Sequence, residues 1–335
     1  MIRNFLFACL VSACTQAEAA SVRVATFNIA MGLDQAGALG RALADGNDTR
    51  LRQVAEILQR VRPDIILLNE FDYDPATDAA RLLNQNYLTV TQGGQQPIEY
   101  PYSFRAPVNT GIDSGLDLDG NGNTGEPGDS FGYGAFPGQY GMLVLSRFPL
   151  QNENVRTFQL FPWSRLPDAR RPTRPDGSSY YPDDTWRQLR LSSKSHWDLP
   201  FMIEGRTLHL LASHPTPPVF DGPEDRNGLR NFDEIRFWLE YLQPGADIVI
   251  VDDNGLRGGL PAGESFVIAG DLNADPSDGD SIPGAINQLL DSPRINSSRI
   301  PHSTGAAEAT RLQAGVNLQH QGDPATDTSD FNDER

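Results

Sequence analysis

Four stretches of the chain end an apolar run on side chains able to do chemistry: Thr26-Phe27-Asn28, Leu68-Asn69-Glu70, Ser213-His214-Pro215 and Gly270-Asp271-Leu272-Asn273. Glu70 and Asp271 carry hard oxygens of the kind that hold a small divalent cation or take a proton from water. His214 has a side chain whose ordinary titration falls near neutrality, so it can donate a hydrogen bond or a proton there. Asn28 and Asn273 donate amide N–H groups without adding charge. Singly, each has an ordinary explanation. An Asn after a strand serves a turn, a Glu after an apolar run faces solvent, Gly-Asp is a common turn, and a lone His is a satisfied polar residue. Their repeated placement at strand ends makes them a set.

The elements that must position them alternate strand and helix. Residues 22–27 (VRVATF) read as a strand ending at Asn28. Asn47 or Asp48 can cap a helix whose apolar face is Leu51, Val54, Ala55, Leu58 and Val61, spaced by three and four and stopped by Pro63. Residues 65–68 (IILL) form a continuous apolar run, as in a strand covered on both faces. Residues 141–146, 189–193, 201–203 and 207–213 read as further strands, the last two joined by a turn at Glu204-Gly205. Leu229, Phe232, Ile235, Leu239 and Leu242 mark a second helix before Pro244-Gly245, and residues 266–269 are the last clear strand. The order strand, helix, strand is an α/β signature. Residues 91–139 are Gly/Asp-rich and lack periodicity, which marks an insertion. No linker-like stretch divides the chain, so one domain over residues 22–335 is expected, and no internal repeat is found.

In this order the strand ends resemble the endonuclease/exonuclease/phosphatase superfamily, which has the DNase I-like fold. That family has an early strand ending in Asn, a strand ending in a metal-binding Glu, a Leu-Ser-Arg strand, a strand ending in His, and Gly-Asp-x-Asn. Here these are Asn28, Glu70, Leu145-Ser146-Arg147, His214 and Gly270-Asp271-Leu272-Asn273. The resemblance spans almost the whole chain after its leader, apart from residues 91–139. The words SKSHWD (194–199) and SHPTPPVFDGPEDRN (213–227) set it in a separate bacterial branch, so no substrate carries over.

The resemblance implies a four-layer α/β/β/α sandwich of two mixed sheets, and hydrolysis of a phosphoester by metal-activated water without a covalent intermediate. It implies Glu70 as the ligand of Mg²⁺ or Mn²⁺. Asn28 and Asn273 would then donate to phosphate oxygens, with Asn28 alternatively helping to hold the metal. Asp271 would orient or deprotonate the water, and His214 would bind the phosphate or protonate the leaving oxygen. A phosphodiesterase or endonuclease acting on nucleic acid or a small molecule is the first expectation. A phosphomonoesterase acting on a small extracellular phosphate compound is the second. A non-catalytic secreted binding module with this fold is the rival from another class. The family also has a later strand carrying Asp and a terminal Ser-Asp-His triplet. Ser329-Asp330-Phe331 matches only the triplet's first two residues. The expectation is a chain truncated before its final strands and Asp-His pair, inactive as a fragment, with the activity belonging to the full-length protein.

Further candidates stand outside that set. His196, in Ser195-His196-Trp197-Asp198, is equally a site residue or a strand-edge histidine packed on Trp197. Arg187 and Arg190 could reach a phosphate, although solvated arginines are the plainer reading. Asp117-Leu118-Asp119-Gly120-Asn121-Gly122 matches the first half of a calcium loop, but the twelfth position is Gly128 in place of Glu. Glu126 or Asp129 could supply the missing carboxylate, which makes structural Ca²⁺ at Asp117, Asp119 and Asn121 the alternative to a solvated acidic loop.

Bulk properties limit the setting. Arg3, a short apolar run at residues 5–11, and Ala17-Glu18-Ala19 read as a signal peptide over residues 1–19, too short to span a bilayer. Val11-Ser12-Ala13-Cys14 also resembles a lipoprotein box, with a lipid anchor at Cys14. A secreted or periplasmic protein is expected, or a membrane-anchored lipoprotein, with no transmembrane segment and no protein partner evident. Both cysteines, Cys9 and Cys14, lie in the leader, so the mature chain has no internal disulfide to form. The net charge of −17 removes any general attraction for polyanions, so a phosphate must be captured locally.

Overall fold

The computed structural model describes residues 21–329; the expected leader with Cys9 and Cys14, and Asp330 and Phe331, lie outside the described residues. Strands β1 (Val24–Met31), β2 (Ile65–Phe71), β3 (Tyr102–Phe104) and β4 (Met142–Ser146) form one sheet in the order β1-β2-β4-β3. Helices α1 (Ala38–Asp45), α2 (Thr49–Val61) and α3 (Ala79–Leu83) belong to this half. Strands β5 (Arg156–Thr157), β6 (His196–Ile203), β7 (Arg206–Ser213) and β8 (Ser265–Ala269) form the second sheet in chain order. With it go α4 (Asp183–Gln188), α5 (Arg226–Leu242) and α6 (Asn287–Leu290); α7 (Thr304–Gln313) follows. Counted from β1 or from β8, each sheet has a parallel pair and then two antiparallel pairs.

Side-chain alternation on the central strands explains the layering. Ile66, Leu68, Leu143 and Leu145 pack beneath Leu39, Leu43, Leu51, Val54 and Leu58 of the helices. Ile65, Leu67, Met142 and Val144 point the other way, against Trp197, Leu199, Phe201, Leu210 and Ala212 of the second sheet. On that sheet's outer face Leu211 meets Ile235, Trp238, Tyr241 and Leu242 of α5. Both faces of each sheet are therefore covered, which is why the runs IILL and MLVL are uninterrupted. The result is the expected four-layer sandwich.

Local signals explain several boundaries. The Asp48 carboxylate accepts the Leu51 N–H at 3.0 Å and caps α2, while Arg62, in the left-handed region just before Pro63, ends it. Val61 was expected on the buried face but is 44% exposed at the fraying end. Glu204 and Gly205 both have positive φ, as a tight hairpin turn between β6 and β7 requires.

Residues 189–193 do not form the expected strand. Arg190 makes only an isolated bridge to Pro162, and side chains of Arg230, Asn109 and Glu234 hold the backbone of residues 191–193. β6 instead begins at His196 and runs through Pro200, whose carbonyl accepts from Gln151 on the side facing β5. A proline is tolerated there because β5 is too short to need its N–H. Residues 91–139 hold one strand the periodicity does not reveal, β3, paired with β4. Elsewhere in that stretch the buried Asn109 amide donates to the carbonyls of Gln159 and Ser192, both at 2.7 Å.

Candidate active site

Parallel neighbours end on the same side of a sheet. Asn28 on β1 is in register with Asn69 on β2, which places Glu70 next to it. Ala212 on β7 is in register with Ala269 on β8, so His214 and Asp271 follow side by side. The two sheets bring these edges together. The Asn28 amide donates to Glu70 Oε1 and to Asp271 Oδ2, both at 2.9 Å, across a sequence separation of 243 residues in the second case. His214 Nε2 stands 3.7 Å from the same Asp271 oxygen. Asn273 donates its backbone N–H to Asp271 Oδ1 at 3.1 Å and its amide to the Pro215 carbonyl at 3.1 Å. All five residues thus converge, with Asn28 between two carboxylates and Asn273 tying the His214 loop to the Asp271 loop.

The backbone here is held in uncommon conformations. Ala30, Glu70, Tyr140 and Asn273 have φ between 49° and 55°, a region non-glycine residues seldom occupy unless their surroundings enforce it. Asp72 supplies part of that enforcement. It accepts the N–H groups of Leu33 and Tyr140, each at 2.9 Å, and burial raises its carboxyl to about 6 against those two donors. At Gly270 a Cβ would stand 1.9 Å from the Ser213 carbonyl oxygen, so the glycine lets β7 and β8 end in contact.

A second support comes from α5. Asn231, Glu234 and Trp238, spaced by three and four, share one fully buried face. Asn231 donates to the carbonyls of Thr216 and Leu272 at 2.9 and 3.0 Å. Glu234 accepts the N–H groups of Ser193 and Thr216, both at 2.6 Å. The Trp238 indole donates to Ser213 Oγ at 3.0 Å. The helix therefore grips every loop that carries a site residue of the second sheet.

Burial and the neighbouring Lys194 ammonium hold the His214 imidazole well below its ordinary value, so it is neutral at neutral pH and does not titrate there as expected. Its Nδ1 is buried without a partner. An unpaired buried N–H costs more than an unpaired lone pair, which puts the proton on Nε2, facing Asp271. His214 is thus a hydrogen-bond donor. Lys194, 5% exposed, is itself lowered by burial, with Glu234, Glu70 and Asp271 opposing that shift. The sequence reading passes over Lys194, Glu234 and Asn231, because nothing local separates a gripping polar residue from a solvated one.

The other candidates lie elsewhere. His196 is a core histidine: Nδ1 faces Ser192 Oγ at 3.2 Å, Nε2 meets the Glu234 carbonyl at 2.9 Å, and its ring packs on Phe237 and Trp238. It does not pack on Trp197, which points into the space between the sheets against Phe104. Arg187 is exposed on α4 and pairs with Asp184. Arg190 donates to Asn109 Oδ1 at 2.7 Å and lies over the Phe131 ring. In the calcium-like loop the third carboxylate is Asp129: it, Asp117 and Asp119 bring ligand atoms within 4.8 Å of one another, an acidic cluster that can hold a cation. Asn121 instead bridges Asp119 and Glu126.

The donor set around Asn28 fits a hard divalent cation. Two carboxylates converge on one point with only a neutral amide shown between them, and all the ligand atoms are oxygens. Back-to-back mixed sheets lie between helices, with this cluster where their parallel strands end. The sequence model of the endonuclease/exonuclease/phosphatase family matches residues 25–333, and the chain belongs to that family. No protein of curated function matches it. Among solved structures it is similar to an endonuclease/exonuclease/phosphatase from Beutenbergia cavernae DSM 12333, at 16% identity and a TM-score of 0.41, covering 80% of this chain. The chain spans about half of that protein, 53% of its length. It is also similar to sphingomyelinase C from Streptomyces griseocarneus, at 18% identity and a TM-score of 0.38, covering 78% of this chain and 67% of that one. A third likeness is beta toxin from Staphylococcus aureus with bound magnesium ions, at 14% identity and a TM-score of 0.39, covering 83% and 72%.

Proposed function

We propose that this chain belongs to a secreted, divalent-metal-dependent phosphodiesterase acting through attack of water on phosphorus. The observation that carries the proposal is the Asn28 amide held at 2.9 Å from both Glu70 and Asp271, with His214 beside the same Asp271 oxygen. Glu70 would hold Mg²⁺ or Mn²⁺, which when bound supplies charge neutralisation to a phosphoryl oxygen. Asp271 is the base: Asn28 and the Asn273 N–H fix both its oxygens, so it presents a defined lone pair to a water. His214 Nε2–H donates to an oxygen that gains charge as the phosphoryl group transfers. Asn273 acts by position, locking the loops of His214 and Asp271 together. The net charge of −17 favours a small diester over a polynucleotide.

Bis-p-nitrophenyl phosphate and p-nitrophenyl phosphate, each with Mg²⁺, Mn²⁺ or Ca²⁺, form the direct assay. In the full-length protein, hydrolysis of the diester should exceed that of the monoester and vanish in the Glu70→Ala variant. Turnover persisting in excess EDTA would falsify the metal dependence, and preference for the monoester would move the assignment to a phosphomonoesterase. The Asp117, Asp119 and Asp129 cluster is proposed as a separate, structural Ca²⁺ position. Calcium should then raise the melting temperature of the wild type and leave that of Asp119→Ala unchanged. For localisation, the proposal is export; among the described residues no helix is long and apolar enough to cross a membrane.

A further inference from the structure

Lys194 is the only lysine in 335 residues; the other basic side chains of the Lys and Arg total are arginines. Lysine is seldom buried, because its compact ammonium loses strong hydration. Yet this one is 5% exposed. It lies at the candidate active site: the antiparallel pairing of His196 with Ser213 runs residue 194 alongside the His214 end of β7, where Glu234, Glu70 and Asp271 act on its charge and it acts in turn on His214. The Glu234 carboxylate, which would be the natural partner of a structural ion pair, is already taken up by the Ser193 and Thr216 N–H groups. No hydrogen bond to the ammonium is found among the described residues. The backbone beside it is fixed from three directions. Its carbonyl accepts the Asn109 N–H at 2.9 Å, Ser193 donates to Glu234, and Gly132 lies so near the Ser193 carbonyl that a Cβ would meet it at 2.0 Å. A buried ammonium on a fixed backbone, with no hydrogen bond of its own, is suited to a multiply charged anion that bridges it and a cation.

We propose that Lys194 is the built-in phosphate-binding cation of this site, and that Glu234 is the positioning residue that sets Lys194 against His214. The inference rests on the hydrolase reading above for its substrate class. Glu234 takes one N–H from the residue before Lys194 and one from two residues after His214, so a single carboxylate fixes the spacing of ammonium and imidazole. A glutamine there can accept only one of the two N–H groups and turns a donor toward the other. The chain's surplus of arginine does not duplicate the role: Arg230, the buried guanidinium nearby, donates to the carbonyls of Leu191, Phe131 and Arg190.

The test uses the full-length protein, inorganic phosphate and bis-p-nitrophenyl phosphate. Lys194→Met keeps length and burial without charge, Lys194→Arg keeps charge, and Glu234→Gln keeps shape. Phosphate affinity in the presence of Mg²⁺, by equilibrium dialysis, should fall about 10- to 100-fold in Lys194→Met and be partly restored in Lys194→Arg, the range for one charged hydrogen bond. Glu234→Gln should weaken phosphate binding in the wild-type background and add nothing in the Lys194→Met background, an interaction a purely structural role would not produce. On the unaltered protein, phosphate should slow acetylation of Lys194, read by mass spectrometry on the peptide that carries it. Wild-type phosphate affinity in a folded Lys194→Met variant overturns the inference, as does acetylation at the same rate with and without phosphate. EDTA-sensitive turnover that is indifferent to Lys194→Met leaves the hydrolase standing and removes Lys194. Lysine-dependent phosphate binding without any turnover does the reverse.

Discussion

Asn28 keeps two carboxylates apart by donating to both, and its own oxygen is taken by the Ala30 N–H at 3.0 Å. Replacing it with Asp would aim three carboxylates at one point, where like charges oppose one another's ionisation. Asn28→Asp should therefore lose about 1–3 kcal/mol of stability in EDTA, of the order of a buried polar group left without its partner, and regain it in Mg²⁺. Urea unfolding with and without the ion checks this; indifference of the variant to Mg²⁺ would mean the carboxylates share no cation. In the full-length protein, Asp271→Ala and His214→Ala should each slow turnover by about 10²- to 10⁴-fold, the span for a lost acid–base or directed donor group. At this scale the residue types were legible from the chain alone. Their ionisation was not: the neutral state of His214 depends on burial and on Lys194, and neither is written near position 214.

Helix α5 shows what periodicity reveals and what it leaves out. Its apolar spacing forecasts a helix with one buried face, and a helix spans Arg226–Leu242. Leu229 and Leu239 of that face are nonetheless only partly buried, whereas Asn231, Asp233, Glu234 and Phe237 are enclosed. The site loops cover a second side of the helix, so its polar stripe does work that an amphipathic pattern assigns to solvent. His196, packed against α5, gives a stability test. Its imidazole titrates at about 4 in the fold against 6.5 ordinarily, owing to burial, and the hydrogen bond to the Glu234 carbonyl only partly offsets this. Between those values the unfolded chain binds the proton and the folded one does not, so stability rises with pH through that window and is lost as pH falls. His196 alone should remove about 2 kcal/mol between pH 7 and pH 5. The difference in unfolding free energy between wild type and His196→Gln, from urea titrations, should shrink by that much over this range; a constant difference would rule it out.

At the scale of the whole molecule, three apolar contacts hold the four layers, and the net charge limits the partners. Leu67 is fully buried between the sheets, so Leu67→Ala should cost about 2–5 kcal/mol by chemical denaturation, and less only if the sheets close over the cavity. The net charge of −17 leaves duplex DNA without the counterion-releasing contacts that drive non-specific binding. No mobility shift of plasmid DNA is expected at about 0.15 M salt, where exposed charges are already screened beyond roughly 8 Å. Tight binding would return a polynucleotide to the head of the substrate candidates.

The alternation of apolar residues, the turn at Glu204-Gly205 and the Asp48 cap are local, and a strand or helix answers to them directly. The types and order of the strand-end residues Asn28, Glu70, His214 and Asp271 are likewise local, and the fold brings the four together. Contacts between distant segments are another matter. β3 is three residues long and is held by β4 rather than by any pattern of its own. Residues 189–193 look like a strand but find no partner strand, because side chains from α5 and residue 109 take up their backbone groups. Lys194 and Glu234 sit 40 residues apart and acquire meaning only when α5 closes on the second sheet. Local propensity acts within a few residues of itself, whereas desolvation and the sharing of one carboxylate by two loops exist only once the chain has folded back on itself.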